Sequence, residues 1–135
     1  MRFNRLKTLL VPIIITIIIV ACGKDEGPKD TEKPSMSINL PTDNQVIDLS
    51  VDSLHILLNV TENDRLESFT ATLKANGETL YTDSPADAKG VNYYIYHRHF
   101  NPPGVTANMS AELTLVATDK SGNADSRTIN ISFVP

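Results

Sequence analysis

Three histidines carry the clearest coordination chemistry in this sequence. His97 and His99 are two positions apart in the predicted strand 91–100, and side chains two apart on a strand leave the same face. His55 stands near the start of the predicted strand 54–60. If the two strands pair antiparallel, all three imidazoles fall at one end of a sheet, where they suit Zn²⁺ or Cu²⁺.

Side-chain parity in the strand 91–100 decides between this metal patch and its alternative, surface histidines beside an aromatic strand. If Tyr94, Tyr96 and Phe100 point inward, the histidines point outward together with His55; if Ile95 points inward, they do not. Outward histidines favour a metal, whereas outward aromatic side chains favour a ligand-binding platform. The aromatic residues that supply either core or platform are Tyr93, Tyr94, Tyr96 and Phe100.

Acidic and amide side chains mark two predicted turns at the opposite end of the domain. Glu62 and Asp64 follow one strand, and Asp119 and Asn123 flank the turn after another. Because Ca²⁺ binds six to eight oxygens, carboxylates and carbonyls from adjacent loops form a candidate calcium site. The alternative is turn chemistry, since Asp and Asn side chains also bond the local backbone.

No motif for catalysis or nucleic-acid binding is present in the sequence. It lacks Gly-x-Ser-x-Gly and phosphate-loop motifs, and its acidic pairs lack the apolar setting that acid catalysis requires. Without the first 21 residues, nine basic side chains face 16 acidic ones, a net charge of −7. We therefore expect no enzyme, no nucleic-acid partner and no resident cofactor, apart from the Zn²⁺, Cu²⁺ or Ca²⁺ considered above.

The elements that position these residues are short strands. Apolar side chains alternate with polar ones in segments separated by turn residues, and no stretch keeps a helical period over ten residues. Asn76-Gly77 between two alternating runs predicts a tight hairpin. Residues 36–135 are therefore predicted to form an all-β, immunoglobulin-like two-sheet sandwich of seven or eight strands.

The amino terminus has the pattern of a secretory signal. Three basic residues precede the apolar run 9–21, which is shorter than a bilayer-spanning helix. The run ends at Ile19-Val20-Ala21-Cys22, which resembles a bacterial lipobox, and Cys22 is the single cysteine. This resemblance implies a signal peptide at 1–21 and acylation of Cys22, so a lipid leaflet is the expected membrane partner.

Residues 22–35 are predicted to be a lipidated cysteine and a flexible, disordered tether. They are rich in charge, proline and glycine and contain no large apolar side chain. Lys24, Asp25 and Glu26 resemble the surface-export signal of Bacteroidota lipoproteins. The expected location is the outer membrane, facing the cell exterior.

Five segments of the chain together resemble one known family. They are the lipobox, the tether end 32–34, the strand and acidic turn 54–73, the segment 96–102, and the turn Asp119-Lys-Ser-Gly-Asn123 within 113–124. The whole chain is similar to short Bacteroidota immunoglobulin-like lipoproteins, the domain-of-unknown-function family 4625. We expect a surface lipoprotein whose module binds a protein or glycan, or serves as an accessory subunit. The alternative function is Zn²⁺ or Cu²⁺ binding by the histidines.

Overall fold

The computed structural model describes residues 27–135, which form eight strands and one short 3-10 turn. The predicted signal peptide, Cys22 and tether residues 22–26 lie outside the described residues. The elements are β1 (Ser35–Leu40), β2 (Gln45–Asp48), β3 (Leu54–Thr61), β4 (Leu66–Ala75), β5 (Glu78–Asp83), the 3-10 turn Ala86–Ala88, β6 (Tyr93–Phe100), β7 (Met109–Asp119) and β8 (Ala124–Val134).

The strands form two sheets, in the orders β1-β3-β6 and β2-β8-β7-β4-β5. Every pairing is antiparallel except that of β2 with β8. In immunoglobulin lettering, β1, β3 and β6 of the first sheet are strands A, B and E. In the second sheet, β8, β7 and β4 are strands G, F and C, with β2 added beside G and β5 beside C. The predicted all-β sandwich is confirmed.

The core lies between the two sheets and is built by alternation along the strands. Leu54, Ile56, Leu58 and Val60 of β3 are fully buried, and the intervening side chains of β3 are half-buried on the outer face. β7 faces them with an equivalent inward row, Ala111, Leu113, Leu115 and Ala117. This period of two fixes which face each functional side chain occupies.

Tight turns set the register of the second sheet. Asn76 and Gly77 both have positive φ, 51° and 81°, in the link between β4 and β5, as a type I′ hairpin requires. Gly122, with φ 90°, occupies the corresponding left-handed position in the turn between β7 and β8. The second turn places Asp119 and Asn123 at one end of the sandwich.

A polar cluster joins the two sheets where β5 faces β6; we call it the Asp83 cluster. Asp83 Oδ2 accepts hydrogen bonds from Tyr81 Oη at 3.1 Å, Tyr96 Oη at 3.0 Å and Arg98 Nε at 2.9 Å. The Arg98 guanidinium lies 4.7 Å from the centre of the Tyr96 ring. Burial and the hydrogen bond to Tyr81 raise the pKa of Tyr96, so this cluster favours a neutral phenol beside a paired carboxylate.

The segment before β1 lies against the sandwich. Asn123 Nδ2 donates to the main-chain oxygens of Asp30 and Glu32, each at 3.1 Å, and Lys33 pairs with Asp125 at 3.3 Å. The sequence assigned residues 22–35 to a flexible tether, but the structure attaches its last part, from Asp30, to the domain. No helix within residues 27–135 has the length and apolar character needed to cross a bilayer.

Candidate functional site

The three histidines share the outer face of the three-stranded sheet. β3 pairs antiparallel with β6, so that His55 lies opposite His99 and Leu57 lies opposite His97. Tyr94 and Tyr96 are buried, whereas His97 and His99 are exposed. Of the two parities considered, the structure therefore has the one that turns all three imidazoles outward.

His55 is the centre of this histidine patch. Its Nε2 lies 2.6 Å from His97 Nε2, and its ring centre lies 4.7 Å from that of His97 and 5.2 Å from that of His99. His99 Nε2 lies 2.5 Å from Ser53 Oγ. Two imidazole nitrogens bound to one tetrahedral Zn²⁺ would stand about 3.3 Å apart, so a small side-chain shift would convert the His55–His97 contact into a two-nitrogen metal site.

Exposed apolar side chains continue the histidine row along β6. Tyr93 and Ile95 are 52% and 51% exposed, and they project from the same face as His97 because residues two apart share a face. Tyr93 Oη donates to Asn59 Oδ1 on β3 at 3.4 Å. The aromatic residues thus divide: Tyr94 and Tyr96 supply core, Phe100 is partly buried against it, and Tyr93 faces solvent.

Three carboxylates meet at the opposite end of the sandwich; we call them the acidic cluster. Asp30 precedes β1, Glu62 follows β3 directly, and Asp119 is the last residue of β7. One carboxylate oxygen from each lies within 4.8 Å of the others. Within residues 27–135 this is the one trio of His, Cys, Asp or Glu side chains whose ligand atoms converge so closely. The three histidines do not satisfy that distance together.

Asp119 is held in place by its own turn. Its carboxylate accepts hydrogen bonds from the Asn123 main-chain N–H at 2.7 Å and from Asn123 Nδ2 at 2.6 Å. Burial alone would raise the pKa of Asp119, but the hydrogen bonds from Asn123, Ser121 and Gly122 lower it below its ordinary value. The turn chemistry predicted for Asp119 and Asn123 is therefore present, and it also fixes a charged carboxylate at the acidic cluster.

Glu62 differs from Asp119 because one of its oxygens has no partner. Its side chain is 8% exposed, and Oε1 accepts the main-chain N–H of Asp64 at 3.3 Å. Oε2 is the one buried side-chain nitrogen or oxygen in the described part of the chain that makes no hydrogen bond. Buried polar atoms of this kind are rare in folded proteins and call for a specific cause.

The structure changes the membership of the predicted calcium turn. Glu62 and Asp119 lie close together and Asn123 donates to Asp119, but the Asp64 side chain is exposed and is not part of the acidic cluster. Asp30 takes its place. Sequence reasoning missed Asp30 because it lies in a run of charged residues that resembles a solvated linker, and its only signal was that the linker enters at this end.

A second charged group lies beside the acidic cluster. Asp125, 4% exposed, pairs with Lys33 at 3.3 Å and with Arg127 at 3.1 Å. Burial would raise the pKa of Asp125, but hydrogen bonds from Lys33 and Arg127 lower it. Lys33 is therefore engaged with Asp125, and none of the four ion pairs within residues 27–135 includes a carboxylate of the acidic cluster.

Comparison with known proteins adds no assignment. The chain matches no protein-family model, and a search of curated proteins finds no match.

Proposed function

We propose that this chain is a lipid-anchored, non-enzymatic lipoprotein of the outer membrane, facing the cell exterior, whose immunoglobulin-like module binds a protein or glycan partner or serves as an accessory subunit. The observation that carries the proposal is the placement of the single cysteine, Cys22, directly after an apolar run that ends in a lipobox-like tetrapeptide. Several acyl chains on one residue give stable membrane attachment, whereas one chain gives marginal attachment.

The outer face of the three-stranded sheet is the surface that best suits a partner. Tyr93 and Ile95 are each about half exposed there, and Asn59 lies beside them, opposite Ile95 in the register and in contact with the Tyr93 hydroxyl. An aromatic side chain with a polar tip, next to an aliphatic one, is the kind of pair that forms the centre of recognition surfaces. β6 is also an edge strand of its sheet, so a partner can approach from the side as well as from above.

Acylation and orientation are tested by metabolic labelling of cells with a clickable palmitate analogue. The wild-type chain should be labelled and should fractionate with the outer membrane, and Cys22→Ala should lose all label because no other cysteine exists. Protease added to intact cells should then degrade the labelled wild type. A labelled chain that survives would face the periplasm, and an unlabelled wild type would overturn the anchor.

The export signal has a matched control. Replacing Lys24, Asp25 and Glu26 with Ala should make the labelled chain resistant to external protease, if these charges direct it outward. Replacing the exposed Glu78 and Lys120 with Ala also alters charges, but at positions far along the sequence from Cys22. This control should remain sensitive to external protease. If both variants are degraded to the same extent, residues 24–26 do not direct the chain to the cell exterior.

A second candidate function is binding of Zn²⁺ or Cu²⁺ by the histidine patch. The observation that favours it is the 2.6 Å separation of His55 Nε2 and His97 Nε2 on an exposed face. His99 is farther from His55 and has Ser53 as a neighbour. We therefore assign the metal to His55 and His97, with solvent completing its coordination; His99 joins the ion only if its side chain turns away from Ser53.

The patch is tested by titrating Zn²⁺ and Cu²⁺ in a calorimeter. His97→Ala should abolish binding, and His99→Ala should weaken it less, since His97, unlike His99, has a ring nitrogen within hydrogen-bonding distance of a His55 ring nitrogen. The two variants are matched controls because they lie on the same face of one strand. If both variants bind as the wild type does, the metal function is wrong and the patch is an ordinary polar surface.

A further inference from the structure

The acidic cluster contains more negative charge than its surroundings neutralise. Asp30, Glu62 and Asp119 bring ligand oxygens within 4.8 Å of one another. Of the two basic residues near Asp30 in the sequence, Lys33 is paired with Asp125, and Lys29, which directly precedes Asp30, takes part in none of the ion pairs within residues 27–135. Ionised carboxylates so close together repel one another, most strongly where they are withdrawn from water. A bound cation would remove this repulsion.

Hydrogen-bond acceptors also outnumber donors around Asn123 and Glu62, although Asp30 Oδ1 accepts from the Glu32 main-chain N–H at 3.0 Å and from Asn63 Nδ2 at 3.2 Å. The Asn123 side-chain amide has two N–H groups, yet its Nδ2 lies against three acceptors: Asp30 O, Glu32 O and Asp119 Oδ2. Glu62 Oε2, on a side chain more than nine-tenths buried, has no donor at all. This unpartnered oxygen is independent of the clustering of charge, and it points to a ligand that accepts electron pairs.

We propose that Asp30, Glu62 and Asp119 bind a calcium ion that fastens the segment before β1 to the sandwich. All candidate ligands are oxygens, which select hard cations over the metals that prefer nitrogen or sulfur. Ca²⁺ accepts six to eight oxygens in irregular geometry, whereas Mg²⁺ requires a near-ideal octahedron. Three carboxylates, the adjacent main-chain oxygens and water suit the irregular coordination of Ca²⁺ better than the octahedron of Mg²⁺.

Because Asp30 lies between Cys22 and the sandwich, calcium binding would shorten the chain that connects the two. Glu62 and Asp119 belong to the sandwich, but Asp30 lies outside it, on the chain that leads to Cys22. With calcium bound, the seven residues between Cys22 and Asp30 allow these two positions to lie at most about 28 Å apart; without it, the first anchored position is Ser35, at most about 45 Å from Cys22. This effect on membrane distance rests on the proposed lipid anchor, but the binding of calcium does not.

The test uses the full chain purified in detergent, with calcium chloride or EDTA. Calcium should raise the melting temperature by mass action, with a dissociation constant of about 0.1–1 mM, the range of extracellular modules, and magnesium should bind more weakly. Hydrogen exchange should slow in the peptide that covers residues 27–34. A wild-type chain that shows neither effect with calcium overturns the proposal.

Two variants separate the site from general surface charge. Asp30→Asn should weaken calcium binding about tenfold or more without unfolding the sandwich, because Asp30 lies outside every strand. Asp64→Asn removes an exposed carboxylate two residues from Glu62 and should bind calcium as the wild type does. The proposal is wrong if Asp30→Asn retains full affinity or if Asp64→Asn loses as much. Acylation is not measured here, so this failure is distinguishable from failure of the lipid anchor.

Discussion

The Asp83 cluster and the acidic cluster place carboxylates in similar settings but balance them in opposite ways. Asp83 Oδ2 accepts three hydrogen bonds, one of them from the Arg98 guanidinium. Glu62 Oε2 is buried and accepts none. The first cluster matches its negative charge with a positive one, whereas the second gathers three carboxylates without a basic partner among the described ion pairs.

This difference separates a structural cluster from a ligand site. A carboxylate that is paired and fully hydrogen-bonded can serve the fold without any further molecule. A carboxylate that is buried without a partner costs free energy, and a folded protein retains such a group where something else satisfies it. Acidic residues alone are common at turns, so the count of donors against acceptors is the more informative quantity.

The largest effect is expected from removing the centre of the Asp83 cluster. Asp83→Ala removes the charged acceptor shared by Tyr96 Oη and Arg98 Nε. The fully buried Tyr96 hydroxyl is then left with Tyr81 Oη, and the Arg98 guanidinium is left with the His97 carbonyl and no carboxylate. The free energy of unfolding should fall by about 2–3 kcal/mol. Urea unfolding of residues 27–135, which contain all eight strands, followed by circular dichroism measures it.

Asp83→Asn is the control for that experiment, because it keeps one acceptor oxygen while it removes the charge and replaces the other oxygen with an NH2 group. It should lose less stability than Asp83→Ala, about 1 kcal/mol. If Asp83→Ala loses under about 0.5 kcal/mol, the cluster behaves as solvated surface and the contrast with the acidic cluster disappears.

The next largest effect is expected in alkali, at the same side of the molecule. Burial and the hydrogen bond to Asp87 raise the pKa of Tyr94 from 10.0 to about 12, and the pKa of Tyr96 is also raised. Since the folded state holds these protons more tightly than the unfolded chain, the stability they contribute is complete below pH 10 and is lost as the pH rises towards 12.

Unfolding experiments between pH 9 and about pH 12 test this linkage. Tyr94→Phe should flatten the decline, since it removes one of the two linked protons. Tyr93→Phe is the matched control, because Tyr93 is half exposed, and its decline should follow that of the wild type. Identical curves for all three chains would exclude a role for Tyr94.

A smaller effect of opposite sign is expected at the acidic cluster. Without calcium, Glu62→Gln removes one of three mutually repelling charges and should raise the free energy of unfolding by about 1 kcal/mol. Asp83→Asn makes the same carboxylate-to-amide change but should lower the free energy of unfolding, so the two variants should change stability in opposite directions. Unfolding in EDTA measures both. Destabilisation by Glu62→Gln in EDTA would mean that the charge of Glu62 is already neutralised within the fold.

Alternation of apolar and polar residues made the fold predictable from the sequence, and it also predicted the sheet face on which several candidate site residues lie. The buried row of β3 and the Asn76-Gly77 hairpin were readable because each depends on neighbours in the chain. The same alternation predicted that His97 points outward if Tyr94 and Tyr96 point inward, as they do in the structure. Glu62 and Asp119 were assigned to one end because antiparallel strands return their turns there.

Features that depend on contacts between distant segments could not be predicted in this way. The Asp83 cluster joins β5 to β6 across the two sheets, and no periodicity along either strand specifies that contact. Asp30 entered the acidic cluster, in place of Asp64, because of the path of the chain before β1. That path depends on the contacts of Asn123 and Asp125 with Asp30, Glu32 and Lys33, which link residues about 90 positions apart.

The smallest effect is expected from Lys33→Ala, which distinguishes the two means of holding the segment before β1. The Lys33 side chain is 63% exposed, and exposed ion pairs contribute at most about 1 kcal/mol; Asp125 also retains Arg127 as a partner. We expect the free energy of unfolding to fall by about 0.5 kcal/mol or less, with the calcium-dependent slowing of hydrogen exchange in residues 27–34 preserved.

If Lys33→Ala instead abolished that slowing while Asp30→Asn did not, the ion pair rather than the acidic cluster would attach the segment. Of the two carboxylate groups at this end, Asp125 would then determine the position of the linker.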